Sequence, residues 1–81
     1  MIESEIQIMT LDEIPCGQCV HVCRVCGYGA IRRRLMDMGL VKGVAVEVVR
    51  SAPLGDPVAY RIRGYQLALR KSEAQLIEVE A

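Results

Sequence analysis

Apolar positions recur along this chain with two periods, and the switch between them marks its one sizeable helix. Ile31, Arg34, Leu35 and Met38 fall at i, i+3, i+4 and i+7, which predicts a helix over about residues 30–38 with the stem of Arg34 completing the apolar stripe. Gly39 follows where a left-handed stop is required, and Leu40 is placed to fold back on Leu35. Val41-Lys42-Gly43-Val44 reads as a tight corner into Val44, Val46 and Val48, which alternate with Ala45, Glu47 and Val49 as a strand does.

The period of two returns elsewhere. Ile6-Gln7-Ile8 reads as a short strand. Residues 18–26 read as another, with Val20 and Val22 on one face and Cys19, His21, Cys23 and Val25 on the other. Val58, Tyr60 and Ile62 face one way, opposite Ala59, Arg61 and Arg63; Leu67 and Leu69 resume the pattern, and Ile77 to Glu80 closes it. Thr10-Leu11-Asp12-Glu13 and Ser72-Glu73-Ala74-Gln75 have the form of capping boxes, each predicting one helical turn. Pro53 and Pro57 make Ser51–Pro57 a loop, and Gly64-Tyr65 has turn character. Five or six short strands, one helix and two helical turns suit a small closed antiparallel barrel, because closure removes exposed strand edges.

At 81 residues the chain fits one domain, 1–81, with no room for a catalytic lobe. Ten basic residues balance ten acidic ones, so no global field gathers nucleic acid or anionic lipid. No apolar run approaches the roughly 20 residues that span a bilayer. The acidic start, Met-Ile-Glu-Ser-Glu, lacks the features of a secretion signal, so the expectation is a cytoplasmic protein with reduced thiols.

Taken together, Arg33-Arg34-Leu35-Met36-Asp37-Met38-Gly39-Leu40, Lys42-Gly43, Pro53-Leu54-Gly55-Asp56-Pro57, Arg63-Gly64-Tyr65, Leu67 to Lys71 and Ala74 to Val79 resemble the FeoA family, over essentially the whole chain. Lys42 stands where that family usually has proline. The resemblance implies an SH3-like β-barrel and a cytoplasmic accessory role in bacterial ferrous-iron transport. The implied partner is FeoB, the membrane transporter with a cytoplasmic G-protein domain. It brings no catalytic set, and the chain, with one histidine, offers no nucleophile–base–orienter arrangement.

Three groups of residues carry candidate chemistry. Cys16, Cys19, Cys23 and Cys26 form C-x2-C-x3-C-x2-C, with His21 among them. Paired C-x2-C motifs ordinarily signal metal. Here only three residues join the pairs, and on a regular strand Cys23 and Cys26 point to opposite faces. The favoured reading is therefore small buried hydrophobes. The alternative is a small metal-binding sensor, buffer or redox protein, whose thiolates would prefer Zn(II) or an iron–sulfur centre to hard Fe(II). Arg32-Arg33-Arg34 opposes the helix dipole, which invites an acidic partner surface. Asp56 and Tyr65 belong to loops that could wall a peptide groove, whereas Tyr60 alternates with core residues.

Overall fold

The computed structural model describes residues 8–80. Six strands form one antiparallel sheet: β1 (Met9–Thr10), β2 (Cys19–Val25), β3 (Ala45–Ser51), β4 (Val58–Ile62), β5 (Tyr65–Leu69) and β6 (Ile77–Glu80). Their spatial order is β1-β6-β2-β3-β4-β5. A 3-10 turn (Leu11–Glu13) follows β1, helix α1 (Gly29–Asp37) links β2 to β3, and the one-turn helix α2 (Lys71–Ala74) links β5 to β6. Among the described residues no ladder joins β1 to β5; at that seam α2 packs against the 3-10 turn. Of the strand expected at Ile6-Gln7-Ile8, the first two residues lie outside the described ones.

The helix exit forms as its residues dictate. Gly39 adopts φ +102°, its N–H donates to the Met36 carbonyl at 3.0 Å, and the Leu40 N–H donates to the Leu35 carbonyl at 3.2 Å. This is a Schellman stop, and it buries Leu40 beside the fully buried Leu35. Gly43, at φ +90°, then turns the chain so that the Val44 N–H donates to the Val41 carbonyl at 3.1 Å. Val44, Val46 and Val48 enter the core with Val20, Val22, Tyr60, Ile62, Leu69, Ile77 and Val79.

Four expectations need correction. Val25 is buried with Val20 and Val22 rather than facing out with Cys23, because β2 bulges against β6 between Val22 and Arg24, and the extra residue reverses the alternation. The β4–β5 turn is Arg63-Gly64, both at positive φ, and Tyr65 already pairs with Ile62 as the first residue of β5. The cap of α2 is Arg70, not Ser72; Glu73 Oε1 accepts the Arg70 N–H at 2.9 Å. Finally, the helical stripe is narrow. Ile31 stays 40% exposed and Arg34 turns to an ion pair with Glu73 of α2, so Leu35 alone of α1 is buried.

Candidate functional site

The start of α1 is an exposed stretch of the surface. Gly29 through Arg34 are all exposed, and Tyr28, which precedes them, is 89% exposed. The three arginines have different surroundings. Arg34 is neutralised by Glu73, and Arg32 Nε donates to the Val25 carbonyl at 3.2 Å, fixing α1 to the end of β2. Arg33 has no hydrogen bond or ion pair among the described residues. The other two residues expected at a partner surface are engaged within the fold. The Tyr65 hydroxyl donates to the Met38 carbonyl at the end of α1, and Asp56 Oδ1 accepts the Lys71 N–H at 2.9 Å, satisfying an otherwise unpaired amide of α2.

The cysteines lie on the outward side of the sheet or its margin, not in the core. Cys16 and Cys19 are exposed, Cys23 and Cys26 half-buried, and all four are free thiols. The expectation of buried small hydrophobes is thus corrected: the valines of β2 fill the interior, and the alternation of β2 puts Cys19 and Cys23 on its other face. The bulge in β2 overturns the opposed-face argument for Cys23 and Cys26. Cys26 Sγ donates to Glu78 Oε2 at 3.6 Å. Burial first, then Glu80 and Glu78, raise the proton affinity of Cys23, and Lys42 opposes them. Exposed His21 pairs across the ladder with Glu80. Among the described residues no three His, Cys, Asp or Glu side chains converge to hold a metal ion.

The loop offered from sequence as a groove wall does border a cleft, of about 320 Å³, but the opposite side is the segment Asp12–Cys16 with the start of α2, and Tyr65 is not part of it. Ile14, Pro15, Val48 and Val58 make its walls apolar; Asp12, Glu13 and Lys71 bring charge, and Tyr60 reaches it from the core. Tyr60 is only 1% exposed, and because no buried side-chain oxygen among the described residues is unpaired, its hydroxyl, which makes no bond to the protein, reaches solvent at the cleft. Its pKa is pushed up to about 12, by burial first and then by Asp12, Cys16 and Asp56. Beyond that loop nothing in the local sequence signals this site, because its other parts come from distant stretches. The alternation of β4 placed Tyr60 inside but could not tell where its oxygen emerges.

Compared with known proteins, residues 9–81 match the family model of the FeoA domain. Over 72 residues the chain is 46% identical to a Fe(2+) transport protein A/Fe(2+) transporter FeoB fusion protein of Porphyromonas gingivalis. That stretch takes in 89% of this chain and 8% of the relative, so this chain spans a small part of the fusion's length. A FeoA-like protein of Clostridium acetobutylicum has the same fold with TM-score 0.87 and 42% identity, covering 95% of this chain and 90% of that one. The FeoA of Stenotrophomonas maltophilia, solved with zinc and described as an SH3 domain protein, aligns with TM-score 0.79 and 37% identity over 88% of each chain. No helix among the described residues is long and apolar enough to cross a membrane.

Proposed function

We propose a role for this chain from one premise: it belongs to the FeoA family, linked to ferrous-iron transport. It is a non-enzymatic accessory that binds the cytoplasmic G-protein domain of a FeoB-type transporter and modulates uptake. The observation that carries this reading is the relative in which a FeoA-like segment is continuous with FeoB, since fusion keeps two working partners at high mutual concentration. The surface best suited to the contact is the exposed end of α1. Arg33 is free to pair there, Arg32 lies beside it, and Tyr28 and Ile31 supply apolar area. Aromatic and arginine side chains at the centre of a contact commonly dominate its energy. Tyr65, bonded to the Met38 carbonyl at the other end of α1, and Asp56, bonded to the Lys71 amide of α2, remain exposed and can add to the contact at its margin.

Titration of the transporter's cytoplasmic domain with the purified chain tests the reading. Saturable binding that weakens at least tenfold on Arg33→Glu supports it, and the absence of binding removes it. A second reading, metal binding, draws on the zinc-containing Stenotrophomonas relative and on the bulge that brings Cys23 and Cys26 to one side. Under it, Zn(II) or Fe(II) is held by some of Cys16, Cys19, His21, Cys23 and Cys26. Stoichiometric metal in the purified protein, lost on cysteine-to-serine replacement, supports this reading; metal-free protein with four titratable thiols rejects it.

A further inference from the structure

The cleft beneath the 52–57 loop combines an apolar floor, an acidic margin and a tyrosine hydroxyl that makes no hydrogen bond to the protein among the described residues. Tyr60 is almost wholly buried, and the small part of it that meets solvent at the cleft includes its hydroxyl, which takes no partner from the described residues. Such a group ordinarily completes its hydrogen bonding with water or a ligand. The surrounding field is negative. Asp12 and Glu13 line the cleft and Asp56 acts on Tyr60 from nearby, against the single positive charge of Lys71. Lys71 forms no ion pair with these carboxylates among the described residues.

We propose that this cleft receives an arginine or lysine side chain from an extended segment of a protein partner. The aliphatic stem lies along Ile14, Pro15 and Val58, and the cationic head donates to the Tyr60 oxygen beside Asp12. A guanidinium fits best, because it only donates, through a fan of five N–H groups, and the cleft offers oxygens at separated points. A metal ion is a poorer fit. One oxygen each of Asp12, Glu13 and Asp56 already accepts a hydrogen bond, and no three ligands converge. The inference concerns a basic segment and does not depend on the transporter being the partner.

The test is a chemical-shift titration of the isotope-labelled chain with capped Ala-Arg-Ala, and with Ala-Glu-Ala as control. The arginine peptide is expected to move the amides of residues 12–16, 55–58 and 71, and added salt to weaken it. Tyr60→Phe, which removes an unpartnered oxygen, is expected to keep the fold and to weaken binding by about fivefold to tenfold. Asp12→Asn is expected to weaken it by about twofold to fivefold, and Lys71→Gln to strengthen it. The inference is overturned if the arginine peptide moves none of these amides, if the glutamate peptide moves them equally, or if Tyr60→Phe and Asp12→Asn bind like the parent. Transporter binding without peptide binding sinks this inference alone; peptide binding without transporter binding sinks the transporter role alone.

Discussion

Replacing Gly39 by alanine tests the helix stop and its lock together. At φ +102° a side chain is strained wherever space allows, at a cost of about 1–2 kcal/mol. Space is also short: the added Cβ would lie 3.0 Å from the Tyr65 hydroxyl oxygen and 3.2 Å from Ile62 Cδ1. The Tyr65 ring must then withdraw, loosening the bond its hydroxyl gives the Met38 carbonyl, a bond worth about 1 kcal/mol. Gly39→Ala should therefore cost about 2–3 kcal/mol, and Tyr65→Phe about 1 kcal/mol. In the double variant the clashing oxygen is gone and its bond already lost, so the combined cost should fall short of the sum by about 0.5–1 kcal/mol. Urea unfolding of the four proteins measures the cycle. At about 4–8 °C per kcal/mol, Gly39→Ala alone should lower Tm by about 8–24 °C. Strictly additive costs, or a neutral Gly39→Ala, would refute the lock between α1 and β5.

Asp56→Ala should cost about 1 kcal/mol by freeing the Lys71 amide, and Asp56→Asn, which keeps an acceptor, should recover most of it in the same unfolding assay. Tyr60, held protonated to about 12 when folded against an ordinary value of 10.0, contributes stability that is intact below pH 10 and declines as pH rises from 10 to 12. The decline from this group should approach about 1–3 kcal/mol, and unfolding at pH 9 and 11 should show it in the parent but not in Tyr60→Phe. Because burial, Glu80 and Glu78 favour the neutral thiol of Cys23, its alkylation by iodoacetamide at pH 8 should be slower than that of an unstructured cysteine. Mass-spectrometric mapping should show the rate climbing with pH, and Glu80→Gln should speed it.

The chain announced its backbone more fully than its surface. The Gly39 stop, the valine strand and the alternation of β4 were legible because each follows from a local rule about φ, period or turn chemistry. The bulge at Cys23 was not, since it arises from how β2 meets β6, more than fifty residues later, and it reversed the placement of Val25. The N-terminus of α2 was misplaced by two residues because a capping pattern was read within one stretch, while Asp56, from a remote loop, supplies part of the cap. The surface residues fared similarly. Arg33 could be named from its charge, but the engagement of Tyr65 and Asp56, and the emergence of the Tyr60 oxygen into a cleft, depend on neighbours far away in sequence.

The role proposed for this chain rests on a specific contact with the transporter's cytoplasmic domain, and footprinting that contact by chemical-shift perturbation addresses it most directly. Adding the unlabelled domain should shift and broaden the amides of residues 28–34, with Arg33→Glu abolishing the effect at equal concentration while leaving the spectrum of the free chain folded. A spectrum unchanged by the domain, or one perturbed only at residues remote from α1, would contradict the account.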